Sequence, residues 1–345
     1  MSMLEKTWWM TSHIDTGVGK IPRISTLLNQ RDKLGHLKVR SGVRRMKYSV
    51  LPGLYGVGNP DSLSPVLVSA NYKLSFDKLR KELAGVDAWI LVLDTKGINV
   101  WCAAGKGTFG TDELVKRITD VKLDRIVSHK KLILPQLGAP GVAAHVVTKK
   151  TGFKVFYGPV LAKDIRQYIQ AGNKATPQMR AVRFPLRERL VLTPVEIMGV
   201  YKPVLILTLF LLILNLFGFD IFPVKDLLPY IGAILVGAFF VPVLLPWIPV
   251  RAFALKGFLL GIIYAFVLNL SSGYILSPDP NWKQALVYFL TLPALSSFLA
   301  MVFTGSATYT SLSGVVREMK FAVPSIIVSA TLGFGFMILK LFVRF

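Results

Sequence analysis

The chain has one cysteine, Cys102, at the head of a run of small residues, Cys102-Ala-Ala-Gly-Lys-Gly-Thr-Phe-Gly-Thr111. A thiolate so placed can act as a nucleophile or as a ligand for a soft metal. A single Cys can equally be a small buried hydrophobe. The four histidines, His13, His36, His129 and His145, show no spacing that suggests a Cys–His–Asn arrangement. One thiol cannot close a disulfide, and Cys-ligated clusters or Cys-rich zinc sites need several thiolates. No iron–sulfur cluster is therefore expected in this chain, and any low-potential electrons must come from another protein.

Two further segments share the richness in small residues: Pro135-Gln-Leu-Gly-Ala-Pro-Gly141, and Tyr157-Gly158-Pro159 as a third edge. Small side chains let backbone approach something flat or bulky, and tight turns produce the same composition. Gly105-x-Gly107-x-x-Gly110 is formally a dinucleotide fingerprint. It lacks the acidic residue that should end a following strand, since Asp124 lies in a polar stretch. A phosphate-binding P-loop fails too, because Lys106 is followed by Gly107 and position 100 is Val.

The elements around these segments alternate. Val66–Ser69 reads as a strand, and Ser75 can cap a helix to Gly85 with Phe76, Leu79 and Leu83 on one face. Trp89–Asp94 is an unbroken apolar run, as in a strand buried on both faces. Asn99–Cys102 reads as another short strand, and Thr111 as the cap of a helix with Asp112 and Glu113 in its first turn. A strand at Leu132–Leu134, a helix from near Gly141, a strand at Lys154–Tyr157 and a helix through Lys163–Ile169 follow. Alternating strands and helices imply an α/β fold with a largely parallel sheet, whose ligands sit outside the carboxyl ends of the strands. The first 60 residues are irregular and basic, with no element assigned.

Mean hydropathy is +0.52, too high for an ordinary soluble enzyme. The apolar excess begins after Tyr201. Residues 1–201 carry 32 Lys and Arg against 15 Asp and Glu, whereas the remainder carries 9 against 4. Such a surplus points to an anionic partner. Arg180, Arg183, Arg187 and Arg189, just before the first apolar run, suit an anionic membrane surface, and no nucleic-acid motif accompanies the charge. Five segments are long enough to cross a membrane, at about 202–219, 228–247, 253–272, 284–304 and 321–343. Asp220 with Pro223, Pro249 with Arg251, and Pro278-Asp279-Pro280 punctuate them. Arg251, and Arg317 with Lys320, mark alternate loops, which puts the basic N-terminal part in the cytoplasm and the C-terminus outside. Lys340 and Arg344 run counter to that orientation. No Asp, Glu, His or Arg falls mid-span, so the spans read as an anchor and docking platform rather than an ion path. No cleaved signal peptide is expected at the N-terminus. The domains are thus residues 1–190, a basic juxtamembrane linker at 191–201, and an all-α membrane domain at 202–345.

The segment Asn99-Val-Trp-Cys-Ala-Ala-Gly-Lys106 resembles the cap-helix motif of the mercury-methylating corrinoid protein (HgcA) family. Pro52–Tyr55, Ser64–Tyr72, Leu134–Gly138 and Phe303–Ser306 resemble it as well, so the likeness covers nearly the whole chain. The soluble segments are shared with the large subunit of the corrinoid iron–sulfur protein, whose four-Cys region and barrel have no counterpart here. The resemblance implies a Rossmann-like corrinoid-binding domain followed by five transmembrane helices. It implies a cobalt corrinoid bound by Asn99, Val100, Trp101, Cys102, Ala103, Ala104, Gly105, Lys106, Gly138, Ala139, Pro140, Gly141, Tyr157 and Gly158, with Cys102 as the lower axial ligand. A thiolate donor would push electron density through cobalt and help a methyl group leave with its electrons, as methylation of Hg(II) requires. The implied partners are a small two-cluster ferredoxin-like protein and a methyl-tetrahydrofolate-dependent methyl supply. Two other readings stay open: a membrane-anchored corrinoid methyl carrier of one-carbon metabolism, and a nucleotide-binding membrane module without corrinoid.

Overall fold

The unbroken apolar runs form the middle of a seven-stranded sheet in a computed structural model of the chain, which describes residues 8–217, 222, 224–307, 309–310 and 312–342. Two compact units result, one of Met1–Val39 with Val43–Val182, the other of Arg40–Gly42 with Arg183–Phe345.

In the first unit the strands are β1 (Met10–Thr16), β2 (Gly19–Ile24), β3 (Gly53–Val57), β4 (Val66–Ala70), β5 (Ala88–Leu93), β6 (Lys131–Leu134) and β7 (Lys154–Tyr157). The helices are α1 (Gln30–Arg40), α2 (Lys73–Glu82), α3 (Val100–Gly105), α4 (Thr111–Asp120), α5 (Ala144–Thr151), α6 (Ile165–Gln170) and the single turn α7 (Pro177–Arg180). The sheet order is β1-β2-β3-β5-β4-β6-β7. The four strands β5-β4-β6-β7 are mutually parallel, with Leu67 opposite both Ile90 and Ile133. Every residue of β4 and β5 is buried, because helices cover both faces. Phe76 of α2 and Leu83 at its C-cap pack with Ile165 and Tyr168 of α6 on one face, while Leu114 and Ile118 of α4 and Val147 of α5 pack on the other. The chain leaves β4 toward β5 on one side and returns to β6 on the other. The gap between β4 and β6 is therefore the switch point, where doubly wound sheets place their ligands.

The irregular first 60 residues extend this sheet. β1 and β2 form an antiparallel hairpin, β2 pairs parallel with β3, and β3 pairs antiparallel with β5 along Gly53–Val57. Residues distant in sequence lock this edge through a buried charge network. Lys73 Nζ reaches Asp32 at 2.7 Å and Asp77 at 2.7 Å, and Arg80 reaches the same two carboxylates at 2.8 and 2.7 Å. His36 Nε2 lies 2.8 Å from Asp77. Burial pushes both carboxyls upward, but the hydrogen bonds and charges of His36, Lys73 and Arg80 at Asp77, and of Lys73 and Arg80 at Asp32, outweigh it and hold both below the usual range.

Four local expectations are corrected. Asn99–Cys102 is not a strand: Asn99 caps α3, and the apolar residues after it are helical. Ser75 lies inside α2, whose N-cap is Tyr72. Gly110 rather than Thr111 is the N-cap of α4, although Asp112 and Glu113 do occupy its first turn. The helix after β6 begins at Ala144, and Gln136–Gly141 is a 3-10 turn because Pro140 withholds a backbone donor.

Among the described residues, the second unit has five helices long and apolar enough to cross a membrane. α8 (Leu186–Leu216) runs unbroken through residues 191–201, so the expected linker is helical. The break expected at Asp220 and Pro223 lies outside the described residues, as does Arg344. α9 (Leu227–Leu235) and α10 (Val241–Leu244) join through a π-helical turn at Val236–Phe240. α11 (Phe253–Ser271), α12 (Trp282–Val302) and α13 (Leu312–Phe342) follow. Small residues bring the helices together, as expected where lipid supplies no hydrophobic drive. A Cβ on Gly237 or Gly261 would stand 2.7 Å from Ser296 O or Pro293 Cα of α12. The interior is more polar than the sequence suggests. Asp226 accepts Tyr288 Oη–H at 2.8 Å and Gln284 Nε2–H at 3.1 Å, and Lys256 Nζ donates to the carbonyls of Leu245 and Ile248 at 2.8 and 2.7 Å.

Candidate functional site

β5 delivers the chain to the carboxyl edge of the sheet at Asp94, and the next five residues must turn it into α3. Lys96 and Gly97 take positive φ, 58° and 71°, to make that turn. One side chain from the neighbouring strand end holds it. Asn71 Oδ1 accepts Thr95 N–H at 3.1 Å, Thr95 Oγ1–H at 2.8 Å and Gly97 N–H at 3.0 Å, while its Nδ2 donates to Asp94 Oδ1 at 3.2 Å. Glu113 Oε1 accepts Asp94 N–H at 2.8 Å, which ties the turn to α4. The hydrogen bond from Lys96 leads the effects that hold the Asp94 carboxyl below the usual range.

Asn99 ends the turn and starts the helix. Its extended backbone and short amide place Oδ1 2.9 Å from Cys102 N, the N-cap geometry that satisfies a donor of the first helical turn. Cys102 is thereby fixed in the first turn of α3 and is half-buried. Ala103 and Ala104, at 0% and 6% exposure, turn into the core. Trp101, Gly105, Lys106 and Gly107 are exposed. Helical periodicity accounts for the split, since residues 103–104 face the sheet while 101 and 105 face away.

The Gln136–Gly141 turn after β6 packs against α3. Its glycines are required by contact: a Cβ on Gly138 would stand 2.5 Å from the Phe109 ring, and one on Gly141 would stand 3.1 Å from Ala104 Cα and collide with Phe109 O. Gly138 is buried, whereas Ala139 and Gly141 are half-buried and Pro140 is exposed. Tyr157 Oη–H donates to Val142 O at 2.7 Å, and burial raises its hydroxyl above the ordinary range. Gly158 is buried, its position 3.1 Å from Ile133 Cγ2 for an added Cβ. The two small-residue loops therefore meet at the β4/β6 switch point, with Tyr157 tied to the residue after the second. Gly138 and Gly158 serve the packing beneath them. Asn71, Thr95, Phe109 and Glu113 are the positioning residues that sequence reasoning missed. The signal for Asn71 was present, as a polar residue closing the apolar run Val66–Ala70.

A flat cofactor needs open space over small residues, and α3 offers it. An added Cβ at Gly105 or Gly107 would meet nothing within 4 Å. Among the described residues no group of three or more His, Cys, Asp or Glu could surround a metal ion. One thiol beside open backbone suits a metal whose remaining positions are filled by its own macrocycle, so the residues present fit a corrinoid.

Residues 36–169 match the family model described as CO dehydrogenase/acetyl-CoA synthase delta subunit. The chain is 36% identical over 128 residues to the acetyl-CoA decarbonylase/synthase complex subunit gamma of Methanocaldococcus jannaschii, covering 36% of this chain and 26% of that protein. It is 30% identical over 128 residues to the same-named subunit of Methanopyrus kandleri and 29% identical over 128 residues to that of Archaeoglobus fulgidus, in both cases covering 36% of this chain and 27% of the relative. The chain thus spans about a quarter of the length of these curated relatives. The matched region runs from α1 to α6 and contains every candidate site residue.

Proposed function

We propose that this chain is a membrane-anchored corrinoid protein of methyl-transfer chemistry, with its cofactor at the β4/β6 switch point and Cys102 as the chain's donor to cobalt. The observation that carries the reading is the capped turn of α3. It holds a lone half-buried thiol beside exposed, small-residue backbone, within a segment similar to acetyl-CoA decarbonylase/synthase gamma subunits. A bound corrinoid supplies a cobalt centre able to accept and release a methyl group. The chain's residues do the rest. Asn99 fixes the backbone of Cys102, Asn71 and Glu113 fix the turn before it, and Gly138 and Gly141 let the second loop close on α3. Val100, Trp101, Gly105, Lys106, Ala139 and Pro140 present the surface that would meet the macrocycle. Ala103, Ala104, Tyr157 and Gly158 support that surface from beneath.

Similarity to acetyl-CoA decarbonylase/synthase gamma subunits favours a methyl carrier of one-carbon metabolism. A second, finer reading takes Hg(II) as the methyl acceptor, with a two-cluster ferredoxin-like reductant. It rests on the resemblance of Asn99–Lys106 to the mercury-methylating family and on the five apolar helices beside a single-thiol soluble unit. In both readings the soluble unit faces the cytoplasm and the helices anchor it. Anaerobic loading of the full-length protein with a corrinoid, followed by visible spectroscopy, tests the common claim. Methylmercury formed from Hg(II) with the reductant present would favour the finer reading. Methyl exchange with a methyl-tetrahydrofolate system and no methylmercury would favour the carrier. Failure to take up corrinoid at all would overturn both.

A further inference from the structure

A cleft of about 830 Å³ opens at one end of the membrane unit, between the N-terminal parts of α11 and α13 and over the C-terminal half of α12. Its size is within the range of about 300–1,000 Å³ typical of ligand sites. Small residues hollow it out, among them Ala252, Ala294, Ser297, Gly314 and Ala322. Its chemistry is divided. Arg251 and Arg317 line it, and among the described residues neither takes part in an ion pair. The cleft also holds one carboxylate, Glu318, whose Oε1 accepts Ala254 N–H at 2.6 Å in the first turn of α11, so the two arginines leave a net positive lining. The remaining wall is apolar and open outward, with Leu255, Phe258 and Phe321 at 44%, 42% and 74% exposure.

We infer that this cleft binds an acidic membrane phospholipid, its phosphate on Arg251 and Arg317 and its acyl chains along Phe258 and Phe321. Three physical points favour that occupant. Paired guanidinium groups match phosphate oxygens in geometry as well as charge. Arg251 just precedes α11 and Arg317 lies in the first two turns of α13, at the same end of the unit, while the apolar wall continues along both helices through Phe258 and Phe321, the division a polar head with apolar tails requires. Basic clefts between membrane helices on the anionic side of a bilayer recognise acidic headgroups in this way. An ordinary soluble anion would use the arginines and leave the apolar wall bare.

Full-length protein purified in a mild detergent, examined by native mass spectrometry with added phosphatidylglycerol or phosphatidylcholine, tests the inference. One phosphatidylglycerol should be retained per chain and phosphatidylcholine should not compete. The double variant Arg251→Gln/Arg317→Gln should bind phosphatidylglycerol weaker by on the order of tenfold or more, and Lys320→Gln, whose charge lies outside the cleft, should bind as the parent does. Ala322→Trp fills the cleft and keeps both arginines; it should lose the lipid as well, and it decides the matter if the double variant fails to fold. Equal binding of both lipids, or undiminished binding by Ala322→Trp or a folded double variant, would overturn the inference. So would displacement of the lipid by millimolar inorganic phosphate, which would mark a site for a free anion.

Discussion

Asn99 Oδ1 accepts the backbone N–H of Cys102 at 2.9 Å, so the residue that begins α3 also fixes the residue that carries the thiol. Asn99→Ala should cost about 1 kcal/mol, the usual loss for an N-cap, and Asn99→Asp should recover most of it. Chemical denaturation of the full-length protein in detergent reads the first effect. If the cap serves the site, corrinoid retention should fall in Asn99→Ala by more than the small stability change explains.

Asn71 holds the turn that leads into that cap. Asn71→Ala leaves Thr95 N–H and Gly97 N–H without their acceptor in a buried place, while Thr95 Oγ1–H keeps the Ile98 carbonyl at 2.7 Å. The expected cost is about 3 kcal/mol or more, because unsatisfied buried donors cost about 1–3 kcal/mol each. Denaturation monitored by tryptophan fluorescence should show it, and a change under about 1 kcal/mol would mean that the turn finds other partners.

Two glycines in the small-residue loops should behave in opposite ways. Gly141→Ala drives a Cβ into Phe109 O and Ala104 and should destabilise the fold by about 1–3 kcal/mol. Gly105→Ala meets open space on a helix and should leave stability unchanged or slightly improved. If a corrinoid lies over α3, Gly105→Ala should still weaken its binding. Stability and corrinoid uptake measured side by side separate the two effects.

The sequence reveals elements where local pattern and burial agree. Trp89–Asp94 reads as a two-sided buried strand because helices on both faces demand a continuous apolar run, and Lys154–Tyr157 follows by the same alternation of strand and helix. The reading fails where the pattern is short or non-local. Asn99–Cys102 is apolar over too few residues to distinguish strand from helix, and the decisive feature is the capping amide rather than the periodicity. The β1–β2 hairpin has a largely exposed face, so no apolar alternation announces it. Asp32 and Lys73 are 41 positions apart and become a buried pair only once α1 and α2 pack. At the site, the Cys102 motif and the Pro135–Gly141 loop were legible from their small residues. Asn71 and Phe109, which bring those segments together, act through the tertiary fold.

The Asp32–Lys73–Asp77–Arg80 network sets an acid limit for the first unit. Both carboxyls are held below their ordinary value of 3.8, so the fold favours their ionised forms. Stability from them is therefore fully present above that value and is lost as pH falls through the lower folded-state values. Unfolding free energy should be insensitive to these groups from neutral pH down to about 5 and should drop steeply below about 4. Asp77→Asn should destabilise at neutral pH by about 3–5 kcal/mol, since it strands part of Lys73 and Arg80, and should flatten the acid limb. A variant with the parental acid limb would remove Asp77 from this role.

The most direct measurement is the anaerobic visible spectrum of corrinoid-loaded Cys102→Ala beside the parent, with methyl transfer assayed on the same samples. Removing the sulfur changes little volume, so a packing role predicts a cost of about 1 kcal/mol, an unchanged cobalt spectrum and retained transfer. The donor role predicts folded protein that still takes up corrinoid, a shifted cobalt spectrum and almost no methyl transfer, with Cys102→Thr behaving alike because oxygen is a far poorer donor to this metal. Parental spectrum and turnover in either variant would contradict the account and leave Cys102 as a packed side chain.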